Sequence, residues 1–186
     1  PSAQIKSGII LAALNTYGIT TIIENKNTRD HTETMLNAFG ADISIQKQDI
    51  KKIIKINGKK NLNSINIEVP NDLSSSAFFI VAALINKNSH LVLRNINVNP
   101  TRNGILIALE KMGAKILFSN QREINNEKVC DIEVFSSDLN GCELKGDIAD
   151  LMIDEYPILS VAASFAKTPS VFRGLGELKV KESDRL

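Results

Sequence analysis

Three times in this chain a short polar stretch runs straight into a segment that is apolar almost all the way round. Ser2-Ala3-Gln4 leads into Ile9-Ile10-Leu11-Ala12-Ala13-Leu14, and Asp72-Leu73-Ser74-Ser75-Ser76 into Phe78-Phe79-Ile80-Val81-Ala82-Ala83-Leu84. Asp154-Glu155-Tyr156-Pro157 leads into Ile158-Leu159-Ser160-Val161-Ala162-Ala163. Serine and aspartate suit helix N-termini, where their oxygens accept from unpaired backbone N–H groups, and proline is tolerated in a first turn. A helix apolar on every face is expected to be buried on every face.

The segments that follow also recur. Short strands are expected at Thr20–Glu24, Leu91–Asn95 and Ser170–Arg173, each leading through a polar turn to a second helix. Two second helices are complete, residues 30–41 and 103–114, both with apolar residues at three-to-four spacing and a stop at glycine. Arg29 and Arg102 match at an offset of 73 residues, and so do Gly40 and Gly113. Alternating segments at Lys51–Asn57, Ser64–Val69 and Lys128–Phe135 read as further strands. The unit is therefore β-α-β-α-β-β, and the third copy reaches Lys181-Glu182-Ser183-Asp184-Arg185 and is cut there. Pro70-Asn71 is the expected crossing between two lobes, with residues 1–69 in one and 70–186 in the other.

Composition narrows the function. A net charge of +1 removes the simplest case for nucleic acid, and the apolar runs are too short to span a bilayer. No leader is read at the start, and the chain is expected to be cytoplasmic. Cys130 and Cys142 have no His or Cys at metal-ligand spacing, so reduced thiols and no metal are expected. The chain opens on Pro1 and stops at Leu186 inside a helical pattern, so both ends read as cut and both lobes as incomplete.

Helix N-termini side by side would present unpaired N–H groups and positive dipole ends to phosphate or carboxylate, and arginines nearby would add bidentate grip. The same caps would equally serve only to satisfy their helices. Lys179-Val180-Lys181-Glu182-Ser183-Asp184-Arg185 carries five ionisable groups in seven residues, with Lys181 and Arg185 on one helical face. Such a run is ordinarily a solvated surface.

That stretch, however, resembles the Lys-Glu-Ser-Asp-Arg signature of the 5-enolpyruvylshikimate-3-phosphate synthases. Arg29-Asp30-His31-Thr32-Glu33, Asp72-Leu73-Ser74-Ser75-Ser76-Ala77, Asn99-Pro100-Thr101-Arg102-Asn103-Gly104 and Ile153-Asp154-Glu155 also look like that family, in its order. The resemblance covers essentially the whole chain. It implies an α/β fold of the enolpyruvyl-transferase inside-out barrel type, two lobes of three β-α-β-α-β-β units around buried parallel helices. It implies transfer of the enolpyruvyl group of phosphoenolpyruvate to shikimate 3-phosphate, on the route to chorismate and aromatic amino acids, by a monomer without cofactor.

The same resemblance assigns roles. Ser2, Ala3, Gln4, Arg29, Asp154 and Lys181 would hold shikimate 3-phosphate, and Gln4 and Arg185 phosphoenolpyruvate. Asp154 would take the proton of the attacking hydroxyl, Glu182 would exchange the methyl proton, and Lys181 with Arg185 would stabilise negative charge. Segments of that family that complete the site lie outside this chain, so the chain by itself is expected to be inactive. A UDP-N-acetylglucosamine enolpyruvyl transferase is the nearest rival, and a non-catalytic module on the same fold a second. Asp72 with Ser74–Ser76 is read as a helix cap, Asn99–Gly104 as a turn into a helix, His31 as structural, and His90 as the start of a strand with no evident partner.

Overall fold

The computed structural model describes residues 2–49, 51–180 and 184. The chain forms two compact units, Pro1–Val69 with Glu123–Glu127, and Pro70–Arg122 with Lys128–Leu186.

In the first unit, helix α1 (Ala3–Leu14) starts where the Ser2 hydroxyl accepts the Ile5 N–H at 3.4 Å. Strand β1 (Ile19–Glu24), helix α2 (His31–Ala38) and strands β2 (Ile43–Gln48) and β3 (Lys51–Asn57) follow. β3 lies between β1 and β2, antiparallel to both. Alternation on β3 turns Ile54 and Ile56 inward against Ile10, Ala13, Leu36 and Ala41, which form the core.

The second unit repeats the pattern. Helix α3 (Leu73–Ile85) is capped by Asp72, whose carboxylate accepts the Ser75 N–H at 2.8 Å. Strand β4 (His90–Asn97), helix α4 (Gly104–Lys111) and strands β5 (Lys115–Ile124) and β6 (Glu127–Phe135) complete the copy, and the sheet order β4-β6-β5 reproduces β1-β3-β2. Asn71 bridges Ile96 of β4 in parallel. A third copy begins in the same way: β7 (Glu143–Leu144) pairs in parallel with β8 (Val171–Phe172), after the short helix α5 (Gly146–Ala149) and helix α6 (Tyr156–Ser164). Residues Gly176–Val180 form a 3-10 turn. Ile80, Leu84, Ile105, Leu109, Met112, Ile132 and Leu159 fill one core shared by α3, α4, α6 and the sheet.

The two glycine stops are the same device used twice. Gly40 and Gly113 sit at φ +80° and +84°, and the next N–H bonds back across the turn, Ala41 to the Leu36 carbonyl at 2.9 Å and Ala114 to Leu109 at 3.0 Å. Only glycine takes that backbone without strain, which ends both helices at equivalent places.

Three expectations need correction. Residues 64–69 join no strand: Val69 and Ile67 are exposed, and Asn66 and Glu68 bond instead to the Asn125 side chain, at 3.0 and 3.1 Å. Alternation makes a segment fit for a sheet, but a strand needs a neighbouring backbone to pair with. The apolar helices are also not covered on every side. Ile5, Ile9 and Leu11 of α1 and Phe78 and Phe79 of α3 are exposed: α1 lays one face on its own sheet, α3 packs on its sheet and on α6, and nothing among the described residues covers what is left. His90, finally, does have partners: Glu133 at 2.6 Å and the ring of Phe135, stacked at 4.6 Å.

Candidate functional site

In the first unit the expected ligand-binding residues stand on adjoining elements. Ser2 caps α1, Ala3 and Gln4 form its first turn with Gln4 exposed, and half-buried Arg29 precedes α2. Using its oxygen to accept the Ile5 N–H leaves the Ser2 hydroxyl proton available as a donor. α1 and α2 are tied directly, Ser7 Oγ to Thr32 Oγ1 at 2.7 Å.

Beneath this surface lies a feature that sequence reasoning missed. Lys6 Nζ sits 2.9 Å from Glu33 Oε1 and 3.2 Å from Glu24 Oε1, while Lys52 Nζ sits 3.4 Å from the same Glu33 oxygen and 4.0 Å from Asp30. All four of Lys6, Glu24, Glu33 and Lys52 are buried. Each comes from a different element, so the network pins α1, β1, α2 and β3 at the end that carries Ser2, Gln4 and Arg29. A signal was present: Lys6 shares a helical face with Ile10 and Ala13, and Lys52 alternates in phase with Ile54 and Ile56. A charge placed in an apolar stripe is a buried charge. His31 Nδ1 bonds Glu127 Oε1 at 2.6 Å.

In the second unit Asp154 is exposed in the turn that enters α6. Its neighbour Glu155 is buried and accepts a hydrogen bond from the Ser74 hydroxyl at the first turn of α3. Ser74 in turn accepts from Arg102 Nη2, and Arg102 pairs with Asp72 at 3.2 Å. Burial pushes the Glu155 carboxyl above its ordinary range, and the nearby Asp154 adds to this, against the Ser74 bond and Arg102. For Asp72 partial burial acts upward, but the bonds from Ser75 and the charge of Arg102 outweigh it and hold the carboxyl low. Asp72 is thus the cap it was read to be, and Asn99–Gly104 the expected turn into α4. Lys181, Glu182 and Arg185 lie outside the described residues.

The architecture has counterparts. The enolpyruvyl transferase NikO of Streptomyces tendae superposes with a TM-score of 0.58 at 18% identity, over 89% of this chain and 39% of its own. At that distance the likeness defines the fold alone: this is an enolpyruvyl-transferase fold. An EPSP synthase of Acinetobacter baumannii superposes with a TM-score of 0.91 at 44% identity, over 100% of this chain and 41% of that one. The 3-phosphoshikimate 1-carboxyvinyltransferases of Roseobacter denitrificans and Petrotoga mobilis are 49% and 50% identical across the whole chain. The family model of EPSP synthase (3-phosphoshikimate 1-carboxyvinyltransferase) matches residues 1–186, and the chain belongs to that family. It spans 42% of the length of each of those two relatives. No helix among the described residues is long and apolar enough to cross a membrane.

Proposed function

We propose that the full-length protein carrying this chain transfers the enolpyruvyl group of phosphoenolpyruvate to the 5-hydroxyl of shikimate 3-phosphate and releases phosphate, as a cytoplasmic monomer of the shikimate pathway. The observation that carries this reading is the family match over all 186 residues. Residues 1–69 would finish one lobe and residues 70–186 begin the other. The uncovered apolar sides of α1 and α3 would be where the remaining units of each lobe pack.

The reaction is addition followed by elimination. The 5-hydroxyl oxygen attacks C2 of phosphoenolpyruvate and loses its proton to Asp154, while Glu182 protonates C3. From the tetrahedral intermediate Glu182 recovers a methyl proton as the C–O bond to phosphate breaks. General acid–base help of this kind is worth roughly 10²–10⁴-fold. Ser2, Ala3, Gln4, Arg29, Asp154 and Lys181 would hold shikimate 3-phosphate, the Ser2 hydroxyl and Arg29 supplying donors to the anion. Gln4 and Arg185 would hold phosphoenolpyruvate, and Lys181 and Arg185 would offset the charge that accumulates.

Calorimetric titration of the full-length protein with shikimate 3-phosphate tests this. Saturable binding is expected, weakened about tenfold or more by Arg29→Ala through loss of a charge-assisted contact. No heat, or unchanged affinity in the variant, refutes the assigned site.

A further inference from the structure

Asp154 stands on a turn that is clamped on both sides. On its N-terminal side α4 packs against the segment at Leu151 and Met152: the Gly104 N–H donates to the Leu151 carbonyl at 3.3 Å. The approach is so close that a Cβ on Gly104 would lie 2.8 Å from Met152 Cβ and 3.0 Å from the Leu151 carbonyl carbon. On the C-terminal side Glu155 is held through Ser74 and Arg102. Within the turn the Glu155 N–H returns to the Met152 carbonyl at 3.0 Å, and the Glu155 carbonyl accepts Leu159 N–H at 2.9 Å as the helix begins.

The polarity of the relay is fixed by chemistry. A guanidinium can only donate, so Ser74 Oγ must accept from Arg102 and direct its single proton to Glu155. Asp72 fixes the other end, accepting the Ser75 N–H and pairing with Arg102. The relay therefore links the starts of α3, α4 and α6 and ends one residue from Asp154.

From this we infer that Glu155, Ser74 and Arg102 are positioning residues, which hold Asp154 at the angle and depth from which it takes the substrate proton. The inference rests on the proposed role of Asp154. Glu155 itself is buried in the relay and acts through Asp154. A base displaced by about 1 Å can lose on the order of 10²-fold in rate, so a clamp of this kind acts on turnover more than on binding.

The test is a double-mutant cycle in the full-length protein, with phosphate release from shikimate 3-phosphate and phosphoenolpyruvate as the readout. Glu155→Ala and Arg102→Ala are each expected to lower kcat about 10–100-fold while KM moves less than about threefold. Glu155→Gln, which can still accept from Ser74, is expected to recover most of the loss. Placed on an Asp154→Ala background, Glu155→Ala is expected to lower the rate no further, because its effect passes through a group already removed. Gly104→Ala, which forces Met152 aside, reports on the other clamp and should lower kcat in the same way.

A kcat within about twofold of the parent in Glu155→Ala, or an equal loss on both backgrounds, overturns the assignment. So does a loss that follows the unfolded fraction measured by circular dichroism at the assay temperature. Near-normal turnover of Asp154→Ala alone would instead remove the base itself, and the inference with it.

Discussion

Lys6→Met offers a severe test of how the first unit is held together. Methionine keeps the length and apolar volume of lysine, so little of the effect comes from a cavity. What changes is charge: Glu33 loses a partner at 2.9 Å and Glu24 one at 3.2 Å, both buried. Glu33 keeps Lys52 at 3.4 Å, and Glu24 keeps the Thr28 hydroxyl. Removing one member of a buried network typically costs about 3–5 kcal/mol, because the remaining charge stays desolvated. Against a total stability of about 5–15 kcal/mol that is a large share. Urea unfolding followed by circular dichroism should show the loss as a lower midpoint with little change in slope. Lys6→Met combined with Glu24→Leu leaves the Glu33–Lys52 pair and no uncompensated carboxylate, and should recover at least about half of it. A single-variant loss under about 1 kcal/mol, or no recovery in the double variant, would refute the claim that the network is desolvated and mutually dependent.

Asp154→Ala or Glu182→Ala in the full-length protein should cut turnover at least about a hundredfold with the circular dichroism spectrum unchanged, and near-normal rates would remove the acid–base assignment. Glu155 makes a prediction about pH. Its carboxyl is raised in the folded protein, so between the ordinary glutamate value and the raised one the native state binds a proton that the unfolded chain has lost. Stability tied to Glu155 is therefore complete at low pH and lost as pH rises through that window, and Glu155→Gln should gain stability relative to the parent over the same rise. Urea midpoints measured at a series of pH values check this, and a difference that is flat or shrinks with rising pH contradicts it. Asp72 behaves in the opposite sense: its contribution is present at neutral pH and lost as pH falls through its lowered value, so Asp72→Asn should matter least in acid.

The repeat was legible because it is written in residues with few alternatives. Ser2 and Asp72 do cap helices, and Gly40 and Gly113 do end them at φ values that suit glycine. The order of the sheets follows, since two copies of one design pair their strands in one order. What failed depended on neighbours. Residues 64–69 alternate like a strand, yet pairing is a property of two segments, and one segment cannot show it. All-round apolar helices were expected to be buried all round, but burial is decided by what packs against them. The lysines of the buried network stand in phase with Ile10, Ile54 and Ile56 in the sequence, but which carboxylates they meet depends on how α1, β1, α2 and β3 pack. The family resemblance gives a role to Asp154 and none to Glu155 beside it. A carboxylate directly before a buried helix was nonetheless a signal in its own right.

The most direct measurement is phosphate release by the full-length protein supplied with shikimate 3-phosphate and phosphoenolpyruvate together. Release that needs both compounds, and that stops when UDP-N-acetylglucosamine replaces shikimate 3-phosphate, is the predicted result. Absence of release from the folded protein, or release that is indifferent to the acceptor, would contradict the account.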